Sequence, residues 1–428
     1  MYNIIIVGGG ICGLNLSCLL NQKNIKNVCI LEKSNRLGGL IKTNYVNLEV
    51  NKGDKRKVKY EAGAAVVFEY QKNMKNLIKK YNMDTMILPI DKKGNHYKNY
   101  YDGKIRDKVL STETTDKFIK LLKKVFDYID KKGDSYSRKM TLEQICLEVV
   151  SYDDTRFMEF CYGYASEFRI ANAVVAKKNI ENEMFNSNEM YIFKKGYSKL
   201  IEKMYEEVKD VYEFKLKTEV KSFSNENGII NLKLKSGNTI QTKKVVFCIP
   251  KEGLIKLCDS FTDTEKELFN SVNSSSLTRV FTKYNVDKKE NEWMKDLNFS
   301  TVANPIRQII PIKQVLGKNI GLFQMSYSDW KHADYWGRLN LDNTRKLLKK
   351  LLEETFHNKN IDEPEWIKKI YWKNAIHFWK PNVNEKTLYK KIMKLRPNVF
   401  IGGESFSLNQ GWCEGAIKTS IDLNKLLK

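Results

Sequence analysis

The chain is 428 residues long, with 74 basic and 51 acidic side chains, a formal charge of +23, and 42% hydrophobic and 11% aromatic residues. That length is too great for one small core and the composition too apolar for disorder, so two folded units are expected. The apolar stretches have strand length rather than the ~18 residues of a membrane helix, and the run from Asn3 to Val7 leads straight into glycines with no room for a signal peptide, which points to a cytoplasmic protein.

In chain order, the first elements read as a strand at Ile4–Val7, a glycine turn, a helix from Gly13 to Gln22 and a strand at Val28–Leu31, which is a βαβ beginning. YEAGAAVVF at 60–68 reads as extended, and a short amphipathic helix follows over Asn73–Tyr81. From about 110 to 190 the apolar positions recur at three and four residue spacing, as in TDKFIKLLKKVFDYI, and predict helices. A helix over 197–208 precedes a β-rich block, FKLKTEVKSF, GIINLKLKSG and TIQTKKVVFCIP, with a hairpin turn at Ser236–Gly237. Residues 275–375 mix the strands LTRVFTKYNV and NIGLFQMSYS with the amphipathic helix LDNTRKLLKKLLEETF. The chain closes on the strand NVFIGG at 398–403, a loop, and a helix from Gly415 to Leu426. With no internal repeat and no low-complexity linker, the two domains are expected to interleave: one from 1–75, 191–262 and 389–428, the other from 76–190 and 263–388.

The lysines are mixed with asparagines and acidic residues rather than gathered in blocks, so the charge reads as a solvated surface. Nucleic-acid or membrane-surface binding through the field alone is the less favoured alternative. The eight cysteines form no C-x-x-C pair and no zinc-like cluster with histidine, and read as reduced, largely buried side chains.

Gly8, Gly10 and Gly13 make G-x-G-x-x-G directly after a predicted strand and at the mouth of a predicted helix, with Ile11 and Cys12 in the turn. Glycines let backbone approach a pyrophosphate, and the helix N-terminus offers free N–H groups and a positive dipole end. Glu32 ends the second strand, followed by Lys33, and stands where a carboxylate accepts the hydroxyls of an unphosphorylated ribose. The βαβ unit alone admits NAD or FAD.

EKSNRLGGLIKT resembles the continuation of this unit in the flavin amine oxidase superfamily, which includes monoamine, polyamine, L-amino-acid and protoporphyrinogen oxidases. The resemblance implies an α/β chain whose FAD-binding, Rossmann-like domain of the GR2 type interleaves with a mixed α+β substrate domain. It places Arg36, Gly38 and Gly39 along the FAD pyrophosphate and ribityl chain, and Gly63, Ala64 and Ala65 of YEAGAAVVF beside the isoalloxazine. Val220 of TEVKSF falls where the family bonds adenine through backbone. NVFIGGESFSLNQGWCEGAIKTS resembles the C-terminal flavin motif, with Gly403 and Glu404 at the ribityl–pyrophosphate region and Trp412, Cys413 and Ala416 at the pyrimidine end.

On the substrate side, Trp412 falls at one position of the aromatic cage that many members build. Asn374 and Ala375 stand where some members carry a flavin-linking cysteine and a cage tyrosine, so FAD held without a covalent bond is expected. His377, Phe378 and Trp379 are candidates to line the pocket, with core packing the alternative. Arg307 and Lys313 are the candidates for the lysine that many members place at flavin N5. The resemblance implies oxidation of a C–N bond of a small amine or amino-acid-like substrate by hydride transfer to N5, with oxygen as acceptor and hydrogen peroxide as product. Arg169, Arg279, Arg307 and Arg338 are the candidates to hold a substrate carboxylate. The alternatives are a C–C desaturase of the protoporphyrinogen or carotenoid kind, and a flavin-binding scaffold or basic nucleic-acid adaptor without turnover.

Overall fold

The computed structural model describes the chain apart from residues 52, 90–97, 102–103, 106–111, 298, 313–320, 357–359 and 428. Two large sheets alternate along it. The first takes its strands from residues 2–31, 213–247 and 394–401, and the second takes its strands from 98–105 and 272–379. The described residues thus form a mixed α/β structure, and no helix among them is long and apolar enough to cross a membrane.

In the first sheet, Glu213–Lys215, Val28–Leu31, Tyr2–Val7, Thr239–Phe247 and Val399–Ile401 lie in that spatial order, each pair parallel. The all-apolar runs IIIV and VCIL suit such strands because both faces are covered. Ile5, Val7, Cys29 and Leu31 enter one apolar cluster, shared with the helices at 112–184. Ile4, Ile6, Val28 and Ile30 enter another, shared with the helices Ile11–Gln22, Ser198–Val208 and Cys413–Leu426. Alternation with period two is the cause, since successive side chains leave a strand on opposite faces.

Thr239–Phe247 decides how the distant C-terminal segment reaches the first glycine loop. On one edge of this strand, Thr242–Phe247 pair with Tyr2–Val7. On the other edge, its first half pairs antiparallel with Ile229–Leu234 and its last three residues pair parallel with Val399–Ile401. The loop after Val399–Ile401 therefore leaves the sheet beside Gly8.

Three elements differ from the sequence reading. The first helix starts at Ile11, because Gly10 itself takes the extended cap position with φ −75° and ψ −178°. FKLKTEVKSF is two strands, Glu213–Lys215 on the parallel edge and Val220–Glu226 in the antiparallel hairpins, broken where Lys217 turns left-handed at φ 52°. YWKNAIHFW, from which pocket-lining side chains are expected with core packing the alternative, lies inside the long strand Trp366–Trp379 at the edge of the second sheet, paired with Val272–Lys283.

Candidate active site

Four loops meet at the C-terminal ends of the parallel strands. Gly8, at φ 110°, donates its N–H to Leu31 O at 2.8 Å, and a Cβ on it would stand 2.4 Å from the Cys248 carbonyl. Gly38 N–H donates to Gly9 O at 2.8 Å, which lays the 36–42 loop along the glycine turn. On its other side that loop meets the 62–65 segment: Ala62 N–H donates to Lys42 O at 2.8 Å, and a Cβ on Gly63 would sit 1.8 Å from Leu40 O. The 402–404 loop closes the group, with Gly402 N–H on Phe247 O at 2.9 Å and Gly403 N–H on Thr419 Oγ1 at 3.0 Å.

The glycines divide into those that pack against backbone and those that face open space. Gly8, Gly13 and Gly63 are pressed against carbonyls. Gly10 has nothing within 4 Å of a Cβ, and on Gly39 and Gly403 the nearest atoms stand at 3.5 and 3.9 Å. The helix that starts at Ile11 has no side-chain cap and no acidic residue in its first turn, so its positive end points unopposed at that space. An open, glycine-lined strip at a helix N-terminus suits a pyrophosphate. Glu32 borders it: Oε2 accepts from Gly9 N–H and Oε1 from Ser34 N–H, each at 2.8 Å, which fixes the carboxylate at the strand end with lone pairs left for hydroxyl donors.

The other expected cofactor residues distribute as follows. Ile11, Cys12 and Gly13 are buried in the first helical turn, and Lys33 is exposed. The Cys12 and Cys248 sulfurs lie 3.3 Å apart beneath the turn. Arg36 folds back on its own loop, donating to the carbonyls of Gly39, Leu37 and Ile41, so here it holds the glycine pair in shape. Ala64 and Ala65 are half-buried between Gly63 and the short strand Val66–Phe68. Val220 opens its strand opposite Leu234, while the preceding Thr218 N–H donates to Glu32 O at 2.9 Å.

Trp412 is the cap residue of the helix Cys413–Leu426. Its indole N–H donates to Glu183 Oε1 at 2.9 Å and its ring meets Phe68 edge-on at 5.0 Å. Cys413, Glu414 and Ala416 form the first turn behind it. The Glu414 carboxylate reaches across to the helix Lys72–Lys80, accepting from the Asn73 and Met74 N–H groups at 3.1 and 2.9 Å and from the Asn73 amide at 2.7 Å. Glu414→Ala is expected to cost about 2 kcal/mol, the upper range of a lost helix cap, read as a lower denaturation midpoint, and Glu414→Gln less.

Beyond Trp412 stands a wall of aromatic side chains, of which Tyr70, Tyr164 and Tyr327 are half-buried. Tyr164 and Tyr327 meet edge-on at 5.6 Å. Two carboxyls stand behind this wall. Glu183 also accepts from Tyr162 OH at 2.9 Å, and burial lifts its carboxyl to about 7. Glu167 is 5% exposed with Oε2 unpartnered, and burial together with the Glu183 charge holds its carboxyl well above the usual range. Asp329 anchors the segment just before Glu167, accepting from Ala165 N–H at 3.0 Å and Ser166 N–H at 2.7 Å. Neither glutamate had been singled out in sequence, where both sit in ordinary helical patterns.

Several substrate-side expectations take other places. Phe378 and Trp379 are core side chains at 0% exposure, with the Trp379 indole on Ser407 O at 2.8 Å, so they form packing and not a pocket wall. His377, 1% exposed, bridges two carboxylates: Nδ1 lies 2.8 Å from Glu404 and Nε2 3.1 Å from Glu252. Glu404 also accepts from the His377 and Gly411 N–H groups at 3.0 and 2.8 Å. Asn374 and Ala375 lie within the edge strand. Arg307 is fully buried against Phe160, its Nη2 on Glu159 O at 3.0 Å, in a bend remote from the glycine loops, and Lys313 lies outside the described residues. A cation that does reach the 61–65 segment is Arg279, on the strand Val272–Lys283, which donates through Nη1 to Glu61 O at 3.3 Å and to Gln324 Oε1 at 2.9 Å. It stacks on Tyr327 with its guanidinium 4.5 Å from the ring centre.

Comparison with known proteins gives two matches. A family model described as flavin containing amine oxidoreductase matches residues 11–422. The chain is also 22% identical, over 336 residues, to uncharacterized protein R188 of Acanthamoeba polyphaga mimivirus. That match covers 70% of this chain and 63% of the viral protein, so the chain spans less than two thirds of that relative's length.

Proposed function

The chain belongs to the flavin-containing amine oxidoreductase family, and on that premise we propose that it is an FAD-dependent oxidoreductase acting on a C–N bond of a small amine or amino-acid-like substrate. The observation that carries this reading is the juxtaposition of the glycine-lined strip with the aromatic wall that begins at Trp412. Gly10, Gly39, Gly403 and Glu32 would hold the dinucleotide part of the cofactor, and the segment 62–65 with the Trp412 end of the C-terminal helix would hold its flavin. A flavin bound there would supply the two-electron acceptor for the C–N bond, with oxygen the final acceptor in this reading and hydrogen peroxide the product.

The chain's own residues do the rest. The helix that begins at Cys413 turns its positive end toward the pyrimidine side, where reduction places negative charge. Glu183, bonded to the Trp412 indole N–H, holds that ring in one orientation, so a substrate nitrogen meets a fixed aromatic face. The half-buried tyrosines exclude bulk water and strengthen every charge interaction inside. A desaturase acting on a wide apolar substrate fits this aromatic wall poorly, because the buried carboxyls of Glu167 and Glu183 stand behind it.

The test is direct. Purified protein should show the visible absorption of oxidised flavin, and acid precipitation should leave the colour in the supernatant, since the strand at Asn374 and Ala375 carries no cysteine. Anaerobic addition of amines or amino acids should bleach it. A colourless protein defeats the cofactor assignment, a yellow pellet defeats non-covalent attachment, and a yellow protein that none of them bleaches defeats C–N oxidation.

A further inference from the structure

Of the charged side chains singled out in sequence, Arg169 is ion-paired with Glu143 and Glu159, and Arg338 is exposed at the end of a helix. His377 takes no part in the chemistry proposed above, yet it ties the second sheet to the loop that closes the glycine-lined strip. Its ring nitrogens both face carboxylates, Nδ1 at 2.8 Å from Glu404 and Nε2 at 3.1 Å from Glu252. A neutral imidazole has one N–H and one bare lone pair, and an ionised carboxylate can only accept. Carboxylates at both nitrogens therefore call for the doubly protonated ring on geometry alone. Burial acts against that charge, and the two carboxylates outweigh it and raise His377 to about 9.

The groups around the ring come from four elements. Ser405, next to Glu404, has its Oγ 3.1 Å from Nδ1, and Ser274, opposite His377 in the paired strand, donates to Glu252. Lys251, beside Glu252 in the helix Lys251–Ile255, spends its ammonium on Val272 O at 2.7 Å. The Cys413 thiol of the last helix is pushed up to about 11 by burial, with the Glu404 charge adding to it, and stays protonated at neutral and mildly alkaline pH.

Glu404 stands at the edge of the open strip. It follows Gly403, which lines that space, and its side chain keeps 18% exposure. Oε1 accepts from the His377 and Gly411 N–H groups at 3.0 and 2.8 Å while Oε2 faces Nδ1, so the carboxylate is held as an anion. An anion there, left without a counter-charge, would repel a pyrophosphate across a poorly screened interior. The start of the first helix offers only a partial positive charge against it.

We propose that His377 is a positioning residue for the cofactor: its imidazolium neutralises Glu404 at the edge of the pyrophosphate strip, so that binding of FAD is linked to the proton this ring carries. The inference rests on the flavin assignment and is independent of which bond the flavin oxidises. The sign follows from linkage. Bound pyrophosphate favours the charged ring, so the protonated protein binds FAD more tightly, and affinity is complete below the ring's pKa in the flavin-free protein and falls as pH rises through it.

The experiment removes the flavin and measures the Kd for FAD by quenching of flavin fluorescence, with the protons taken up on binding read by calorimetry in two buffers of different ionisation enthalpy. In wild type the Kd should rise about tenfold from pH 7 to pH 10, as for one proton on a group that titrates at about 9, with proton uptake at pH 9 and none at pH 7. His377→Gln keeps a donor and cannot carry charge, so at pH 7 it should bind FAD about as weakly as wild type does at pH 10, with a flat profile. Ionisation of the flavin itself is common to both proteins, and the difference between their profiles isolates the ring. Adding Glu404→Gln to His377→Gln removes the anion along with its counter-charge and should recover most of the lost affinity, which a merely structural histidine would not do.

Wild-type binding without proton uptake at pH 9 overturns the proposal, and this holds even if His377→Gln fails to fold. So does a His377→Gln profile as steep as that of wild type, or a double variant that binds no tighter than His377→Gln. A protein that binds FAD at no pH defeats the flavin assignment beneath it.

Discussion

Gly13→Ala is expected to yield a protein that holds no flavin and unfolds well below the wild type. The Cβ of alanine at this position would stand 2.1 Å from the Gly8 carbonyl oxygen and 3.2 Å from Ile6 Cγ2. Neither neighbour can swing aside. Gly8 is itself fixed between Leu31 and Cys248, where φ is 110° and a Cβ would clash at 2.4 Å. The first helix must therefore lift away from the strand that feeds it. Overpacking of a closed interior costs about 1–3 kcal/mol and more where backbone has to move, so about 3 kcal/mol or more is expected here. Gly10→Ala is the informative control, since its Cβ meets nothing within 4 Å in the protein and enters the strip assigned to the pyrophosphate. It should leave the unfolding midpoint of the flavin-free protein nearly unchanged while weakening flavin binding. Equal loss of stability in both variants would refute the division between packing and ligand-facing glycines.

His377→Ala should be nearly as damaging, for an electrostatic reason. Burial by itself lowers the imidazole pKa, yet the carboxylates of Glu404 and Glu252 outweigh it and raise His377 to about 9. Burial likewise acts to raise Glu252, and the hydrogen bond and charge of His377 bring it down to about 2 instead. The two partners agree that the bridge is ionic. Removing the imidazolium leaves the carboxylates of Glu252, in the short helix Lys251–Ile255, and Glu404, in the 402–404 loop, facing each other without a cation, a loss approaching the roughly 3–5 kcal/mol of a broken buried pair. The pH dependence follows from the directions. His377 is raised, so its contribution is complete below its unfolded value near 6.5 and fades as pH climbs through about 9; Glu252 is lowered, so its contribution is complete above about 4.5 and fades as pH falls through about 2. Stability should therefore drop between pH 7 and 9 in the wild type, and that part of the drop should vanish in His377→Ala. Urea midpoints across this range check it, and an unchanged alkaline slope in the variant would remove the bridge from the account.

His377 also shows where reading by pattern stops. HFW sits beside the resemblance's cage position, and three large side chains in a row read equally well as pocket or core. The structure puts Phe378 and Trp379 in the core because YWKNAIHFW is one strand, paired from Trp366 to Trp379 with Val272–Lys283. It puts His377 on two glutamates that lie 125 residues before and 27 residues after it. Arg279 is a similar case. In LTRVFTKYNV it is an arginine in an apolar strand, with nothing local to mark it, and only the pairing of that strand with Leu322–Asp329 sets it beside Gln324.

The amino-acid sequence by itself determined the parts that act through contiguous residues: the strand, glycine turn and helix at Tyr2–Gln22, the acidic end of the second strand, the loop Arg36 to Leu40, and the strand, loop and helix from Val399 to Leu426. Their chemistry is local, since glycine spacing, a helix terminus and a period-two apolar run are each written within a dozen residues. Tertiary structure alone decided which buried polar groups are left with an unpaired atom. Arg279, Gln324 and Glu167 come from separate strands and helices, and each conforms to the pattern of its own element. A buried polar atom left unpaired is a property of the packed neighbourhood, and sequence spacing carries no record of it.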